Sequence, residues 1–336
     1  MAETRIQSRI GAHSDGENAV TGSHDERAGL STYRYSAFGL LIESDVPLRE
    51  LSQTDAVGTP DIKIVRCPIG HALPEPGSSP SFDYDDLAAP VMIWPGVAAF
   101  RLVGAKRIEI EPYPDVPESY LAFPILGPIM GWMIDRMGKF VMHASAVAFE
   151  GRGVAFLGDK MAGKSTTAAA FLRDGAELMT DDLLVLDIAE DRDPMVMPAF
   201  AQLKLSDESA AAVHVPGSEA LPLVYDGFAK RQHRLAGMHE DRVAAHLLLV
   251  LKRCSGDPAI RVLDEAAGFV AATRFSYHVR FGAAPYDADT RARHFRQGIA
   301  LARKATIAEL AVPDDMQRLP EVVETVRRFL KEGATT

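Results

Sequence analysis

A glycine-rich segment at residues 158–165 has the residue types and spacing of a phosphate-binding loop. Its sequence, Gly-Asp-Lys-Met-Ala-Gly-Lys-Ser, satisfies the pattern G-x-x-x-x-G-K-S at every fixed position. In such a loop, backbone N–H groups at the start of a helix bind phosphate oxygens. Lys164 would bring a positive charge to the β- and γ-phosphates of a nucleotide, and the Ser165 hydroxyl would be a Mg²⁺ ligand. The expected nucleotide-binding residues are Gly158, Asp159, Lys160, Met161, Ala162, Gly163, Lys164, Ser165 and Thr166.

Two adjacent carboxylates, Asp181 and Asp182, follow at the start of the next predicted strand. Carboxylates beside a phosphate loop can hold Mg²⁺ or accept the proton of a hydroxyl nucleophile. Because neighbouring residues of a strand point to opposite faces, one carboxylate would face the metal and the other the substrate. An exposed turn with two solvated acids is the alternative, and the phosphate loop upstream favours the functional interpretation.

His143 lies within an apolar strand segment, in the run Met-His-Ala-Ser. A single histidine in such a strand most often has a structural role, so the residues alone do not assign it to catalysis. The ten histidines of the chain show no zinc-binding spacing such as H-E-x-x-H, and we expect no zinc site.

The pattern of apolar residues predicts the elements that must position these side chains. Residues 140–149 and 153–157 form a hairpin whose second strand leads into the loop, and an alanine-rich helix follows at residues 165–173. The next strand starts at residues 178–180 and continues through 183–186, past the aspartates. Further strands are predicted at residues 246–251 and 260–263, and helices at residues 287–303 and 321–331.

Residues 32–116 are predicted to form a small strand-rich module before this region. Its predicted strands are residues 33–42 and 61–66, and a hairpin of residues 97–103 and 107–113; residues 70–90 are mostly loop. A buried helix is expected at residues 118–137, with Asp115 as its N-cap and Gly138 at its end. The apolar run inside it, residues 120–134, is shorter than the roughly 20 residues that span a bilayer and contains proline and glycine.

Composition excludes several classes of protein. The 336 residues are 47% hydrophobic and 24% charged, enough for one large domain or two ordinary ones. There are 36 Lys and Arg against 46 Asp and Glu, a net charge of −10, so a global electrostatic footprint for nucleic acid is absent. Two cysteines cannot build a disulfide framework. Residues 1–31 are polar, which predicts a disordered tail without a secretory signal. We expect a cytoplasmic protein that binds neither nucleic acid nor membrane.

The run from residue 143 to residue 182 resembles the kinase domain of the HPr kinase/phosphorylase family. That domain has a histidine in a strand, a hairpin, a glycine-rich loop ending in G-K-S, and D-D at the next strand. The resemblance implies an α/β phosphate-loop domain related to phosphoenolpyruvate carboxykinase at residues 117–336. It also implies that Asp181 is the base for a substrate serine, that Asp182 is a metal-binding or supporting carboxylate, and that His143 assists them.

The sequence also departs from that family. Lys160 and Met161 stand where the family loop has a small residue followed by glycine, which adopts positive φ without strain. The arginine- and glycine-rich signature after the aspartates is missing, and residues 198–206 have the sequence Pro-Ala-Phe-Ala-Gln-Leu-Lys-Leu-Ser. These departures make HPr itself an unfavourable expectation as substrate.

The chain is more similar to the HPr-kinase-like proteins that are encoded with lasso-peptide biosynthesis. The similarity lies in the start of the N-terminal module, residues 35–51, in the His-Ala-Ser strand, in the G-K-S-T loop and in the D-D pair. Members of that group phosphorylate the C-terminal serine of a ribosomally made precursor peptide. The resemblance therefore implies a peptide substrate.

The leading hypothesis is an ATP- and Mg²⁺-dependent serine kinase, with Mn²⁺ as an alternative metal. Its catalytic residues would be Asp181, His143 and Lys164, and its metal ligands Ser165 and Asp182. A small-molecule kinase on the same scaffold and a non-catalytic nucleotide-binding regulator are the alternatives, and an oligomer is compatible with the sequence. A solvated loop is as well supported as a phosphoryl-transfer role for the basic residues Lys204, Lys230, Arg231 and Arg234.

Overall fold

The computed structural model describes residues 31–75, 77–222, 230–281 and 286–333, and within them the chain is a mixed α/β protein. The predicted disordered tail lies outside the described residues, apart from Ser31. From Thr32 onward, the described residues form one compact unit. The expected division between residues 116 and 117 stays a prediction.

An eight-stranded sheet contains all the strands of the N-terminal region, in the order β3-β1-β2-β4-β8-β7-β6-β5. The predicted hairpin around residue 105 is confirmed, but the single strand predicted at residues 33–42 is itself a hairpin. Its turn residues, Phe38 and Gly39, both have positive φ, as a two-residue hairpin turn requires. The strands are β1 (Tyr33–Ala37), β2 (Leu40–Ser44), β3 (Ser52–Gln53), β4 (Ile62–Arg66), β5 (Ser81–Asp83), β6 (Val91–Trp94), β7 (Ala98–Val103) and β8 (Arg107–Pro112).

The predicted buried helix is present but is not continuous. It consists of α1 (Glu118–Pro124), a π-helical turn (Ile125–Ile129) and α2 (Met130–Arg136). Gly127 has non-helical dihedral angles, and Pro128 lacks a backbone donor, which accounts for the kink. The prediction that Asp115 caps this helix is wrong: Pro117 is the N-cap, and it makes no side-chain capping hydrogen bond. Gly138, with φ of +89°, follows the helix end as expected.

A second, nine-stranded sheet carries the residues of chemical interest, in the order β12-β10-β11-β18-β14-β13-β9, with β20 beside β18 and β19 beside β20. Its centre is parallel, because β11 and β20 both run parallel to β18. Buried on both faces, these strands are almost continuously apolar. The strands are β9 (Phe140–Met142), β10 (Ala144–Phe149), β11 (Arg152–Leu157), β12 (Glu177–Thr180), β13 (Leu184–Asp187), β14 (Met195–Met197), β18 (Val243–Cys254), β19 (Ala259–Val262) and β20 (Thr306–Pro313).

Two predicted strands of this sheet are interrupted, and both interruptions occur at candidate site residues. The segment 140–149 breaks at His143, and the segment 178–186 breaks at Asp181 and Asp182. The pieces pair across the two breaks, because β10 pairs with β12 and β9 pairs with β13. Both candidate segments therefore leave the sheet at the same level.

Helices cover both faces of the second sheet, and a small third sheet, β15-β17-β16, lies beside it. The side chains of α3 and α8 belong to one core cluster and those of α5 and α7 to another region of the core. No helix among the described residues is long and apolar enough to cross a membrane. The remaining elements are α3 (Lys164–Arg173), β15 (Gln202–Leu205), α4 (Asp207–Ala212), β16 (Glu219–Ala220), β17 (Arg231–Arg234), α5 (Glu265–Arg274), α6 (Tyr277–Arg280), α7 (Ala288–Lys304), a 3-10 turn (Met316–Arg318) and α8 (Leu319–Glu332).

Candidate functional site

The predicted phosphate loop connects β11 to α3, and both of its fixed glycines have steric reasons to be glycine. Gly163 is the N-cap of α3 with φ of +97°, and a Cβ on Gly158 would lie 2.8 Å from the Cβ of Ala162. Met161 also has positive φ, +68°, and its side chain is exposed. Met161 thus adopts the left-handed conformation that glycine adopts without strain, which implies local strain at this position.

The Lys164 side chain folds back into the loop. Its Nζ donates hydrogen bonds to the carbonyl oxygens of Gly158 and Asp159, at 2.9 and 3.2 Å. Burial lowers the pKa of Lys164 from its ordinary value. Phosphate oxygens are stronger acceptors than these carbonyls and would compete for the same donor.

Asp181 joins the loop to the strand that carries the aspartates. Its Oδ1 accepts hydrogen bonds from the hydroxyls of Ser145 at 2.5 Å and Ser165 at 2.9 Å, and its Oδ2 accepts one from the backbone N–H of Lys204 at 2.8 Å. The residue is only 5% exposed. A hydroxyl and a carboxylate side by side are hard oxygen donors of the kind that Mg²⁺ prefers, so these residues fit that metal.

Asp182 faces a different set of groups. Its Oδ2 accepts a hydrogen bond from Lys204 Nζ at 2.7 Å, and its Oδ1 lies 3.3 Å from His143 Nδ1. Burial favours the neutral acid, but the charges of Lys204 and His143 outweigh it, so the pKa of Asp182 lies well below its ordinary value. The side chain remains 36% exposed. Asp182 is therefore the more accessible carboxylate of the pair, and its lowered pKa keeps it ionised.

His143 is held by the second strand break, at Asp182, and by the end of α5. Its Nδ1 lies 3.1 Å from the carbonyl oxygen of Asp182, a contact that requires the proton on Nδ1, and its backbone N–H donates to the carbonyl oxygen of Phe275 at 2.9 Å. Asp182 has φ of +77°, which turns its backbone toward the histidine. The sequence prediction that His143 lies near the aspartates agrees with these contacts.

Lys204 contacts both aspartates, through its backbone to Asp181 and through its side chain to Asp182. The ammonium group also lies 5.0 Å from the ring centroid of Phe123, and the side chain is 17% exposed. From the sequence, a position in a solvated loop and a functional role were equally supported for Lys204. The structure brings it into the site.

The other basic candidates fall into two groups: the two arginines face acidic side chains, and Lys230 acts electrostatically on the site. Arg231 faces Asp207 at 3.5 Å, and Arg234 faces Glu219 at 3.6 Å. The charge of Lys230 contributes to lowering the pKa values of Lys164 and Asp182, although burial is the larger cause for Lys164. Lys230 thus lies within electrostatic range of the site.

Three contacts in and around the site were not assigned from the sequence. Ser145 bonds to Asp181. Because residues two apart in a strand face the same side, the position of Ser145 relative to His143 could have indicated that these two side chains share a face. Arg274 reaches Asp159 in the loop, and no local pattern links these two residues. The hydroxyl of Thr166, expected to bind nucleotide, lies 3.0 Å from that of Ser209.

Comparisons with known proteins add little to this geometry. No family model matches the chain, and no curated protein matches it. Among solved structures, the chain is similar to the Hpr(Ser) kinase/phosphatase from Coxiella burnetii, at 14% identity over 58% of this chain and 94% of that one, with a TM-score of 0.27. Because a TM-score of this size does not establish a shared fold, this structural similarity carries no argument about function.

The structure thus brings together the main residues singled out from the sequence: His143, Lys164, Ser165, Asp181 and Asp182. Within the described part of the chain, no group of three or more His, Cys, Asp or Glu side chains could hold a metal ion. The individual roles of these residues stay predictions.

Proposed function

We propose that this chain is an ATP- and Mg²⁺-dependent phosphotransferase that moves the γ-phosphoryl group of ATP to a hydroxyl acceptor, on a phosphate-loop domain of the HPr kinase kind. One observation carries the proposal. The hydroxyl of Ser165, two residues after the left-handed Gly163, donates to the buried carboxylate of Asp181 at 2.9 Å. A simple turn between a strand and a helix would not need a hydroxyl aimed at a buried acid.

We assign the two carboxylates to opposite tasks. Ser165 and Asp181 would hold Mg²⁺, which when bound offsets the negative charge of the β- and γ-phosphates. Asp182 would face the acceptor. This division reverses the one implied by the family resemblance, and its support is that Asp181 is buried and already accepts three hydrogen bonds, whereas Asp182 is partly exposed.

In this proposal the acceptor hydroxyl gives its proton to Asp182. The lowered pKa of Asp182 keeps its carboxylate ionised at neutral pH, and Lys204 and His143 hold that carboxylate in place. A weak base suffices, because phosphoryl transfer is mostly dissociative and depends on positioning and charge stabilisation. Lys164 and the backbone N–H groups of the loop would bind the phosphate oxygens.

The acceptor that we propose is the hydroxyl of a peptide serine, and more narrowly the C-terminal serine of a ribosomally made precursor peptide. Support comes from the sequence resemblance and from the partial exposure of Asp182, which a large acceptor can reach. The small-molecule kinase and the non-catalytic regulator remain as outcomes of the test.

The test is mass spectrometry of candidate precursor peptides after incubation with the protein, ATP and Mg²⁺. A gain of about 80 Da, one phosphate, that is lost when the terminal serine is replaced by alanine supports the proposal. ATP turnover with metabolite acceptors alone would indicate a small-molecule kinase. ATP binding with no phosphorylated product would indicate a regulator, and absence of ATP binding would overturn the proposal.

Variants test the division of roles. Asp182→Asn is expected to abolish transfer with ATP affinity unchanged, whereas Asp181→Asn is expected to raise the Mg²⁺ concentration needed for half-maximal activity. Asp257→Asn is the matched control, because Asp257 is exposed and pairs only with Arg318 among the described ion pairs. Near-normal turnover by Asp182→Asn would show that this carboxylate is not the base.

A further inference from the structure

Besides Lys164, a second positively charged side chain reaches the phosphate loop, from the end of α5. Nη2 of Arg274, the last residue of that helix, donates to both carboxylate oxygens of Asp159, at 3.0 and 2.8 Å. Asp159 is also the residue whose carbonyl oxygen accepts a hydrogen bond from Lys164. Both cations are thus held at one residue of the loop.

The chain after Arg274 fixes its position relative to the rest of the site. The carbonyl oxygen of Phe275 accepts a hydrogen bond from the backbone N–H of His143, and Ser276 forms an isolated antiparallel β-bridge with Met142. The guanidinium carbon of Arg274 lies 5.3 Å from the ring centroid of Phe275. One short segment therefore contacts the phosphate loop at one end and the His143 strand at the other.

We propose that Arg274 is a further phosphate-binding residue, which exchanges Asp159 for the phosphate oxygens when a nucleotide enters the loop. This inference rests on the function proposed above. It extends that function by adding, from outside the loop motif, a guanidinium that binds phosphate.

The physical reason for the exchange is the weakness of the present pair. The Arg274 side chain is 57% exposed and that of Asp159 is 72% exposed, so solvent screens their attraction and releasing the pair costs little. A nucleotide phosphate carries more negative charge than a carboxylate, and a guanidinium can donate two parallel hydrogen bonds to it. Phosphate is therefore the stronger partner for Arg274.

The experiment compares Mg-ATP and inorganic triphosphate binding, by calorimetry, in the full-length wild type, Arg274→Ala, Arg274→Lys and Asp159→Asn. Arg274→Ala is expected to weaken both ligands by about 10- to 100-fold, the loss of one or two charge-assisted hydrogen bonds. Arg274→Lys should recover part of that loss. Asp159→Asn frees Arg274 and is expected to bind at least as tightly as the wild type.

Arg303→Ala is the matched control, because Arg303 pairs with Glu265 at the other end of α5 and is similarly exposed. If the pair only braced the loop, Asp159→Asn and Arg274→Ala would weaken binding equally, and that result would overturn the inference. So would a change of less than about twofold in Arg274→Ala. Failure of the wild type to bind Mg-ATP would instead reject the proposed function, and this inference with it. Urea unfolding of each variant shows whether it is folded.

Discussion

The contact between Lys204 and Asp182 gives a prediction that does not depend on any assay of activity. Replacing Lys204 with methionine keeps a long side chain beside Phe123 but removes the charge. Asp182 would then keep the burial that favours its neutral form and lose its main counter-charge, so the pKa of Asp182 would rise. We expect the loss to appear directly in the free energy of unfolding.

The magnitude follows from the geometry. Two unit charges 2.7 Å apart attract by about 6 kcal/mol at an effective dielectric constant of 20. Desolvation and solvent screening offset most of this, since the two side chains are 17% and 36% exposed. A coupling of about 2 kcal/mol lies between the values for exposed and buried pairs.

A double-mutant cycle measures that coupling. Urea unfolding at pH 7.5 of the wild type, Lys204→Met, Asp182→Asn and the double variant should give an interaction of about 2 kcal/mol. Because the pKa of Asp182 is lowered in the folded protein, its contribution is present above the ordinary value of 3.8 and is lost only as the pH falls through the lower folded value. The coupling should therefore persist at pH 4.5.

The control is Lys252→Met, since the Lys252 side chain is 52% exposed and lies 3.8 Å from Glu309. This substitution should cost less than about 0.5 kcal/mol. A coupling between Lys204 and Asp182 that is no larger than about 0.5 kcal/mol would refute the view that Lys204 holds the Asp182 carboxylate.

Three further predictions concern strain and burial, and urea unfolding measures each of them. Met161→Gly should raise the free energy of unfolding by up to about 1 kcal/mol, because left-handed φ costs a non-glycine residue more than the added chain entropy of glycine; a decrease would contradict strain at this position. Asp182→Gly should be more stable than Asp182→Ala by about 1 kcal/mol, the reverse of the usual order, because φ is +77° there. Burial lowers the pKa of His294 from 6.5 to about 4, so the unfolded chain binds more protons between these values and stability should fall by up to about 3 kcal/mol as the pH drops through them. His294→Gln should lose that part of the pH dependence, and an unchanged profile would reject His294 as its source.

Much of the loop and its flanking elements could be predicted, because the relevant signals are local. The glycines, the lysine and the serine lie within eight residues, and the apolar strand and the alanine-rich helix adjoin them. The hairpin of β10 and β11 follows from two apolar runs joined by the short turn Glu-Gly-Arg at residues 150–152. These elements need little information from the rest of the chain.

The strand breaks could not be predicted in the same way. Apolar residues continue on both sides of His143 and of the aspartates, so a reading of periodicity joins the pieces into single strands. The pairing of β9 with β13 and of β10 with β12 decides where they separate. The central strand β20 was missed too, and its place beside β18 depends on contacts far along the chain.

Lys204 and Arg274 show a related limit. Each lies far from the loop in sequence. Lys204 enters the site through contacts with Asp181 and Asp182, and Arg274 enters it through its ion pair with Asp159. A charged residue most often faces solvent, so the residue type of Lys204 in β15 or of Arg274 at the end of α5 cannot by itself indicate such a contact. Only the assembled sheet brings these cations to the aspartates.

The coincidence of the two strand breaks explains why the site forms where it does. An interrupted strand leaves backbone donors and acceptors without ladder partners, and these groups must be satisfied in another way. Here the N–H of His143 bonds to Phe275, and the carbonyl oxygen of Asp182 faces the His143 ring. The left-handed backbone of Asp182 is costly and persists because Lys204 and His143 both hold its side chain. The His143 ring thus both satisfies the carbonyl oxygen at the second break and helps to fix the accessible carboxylate of Asp182.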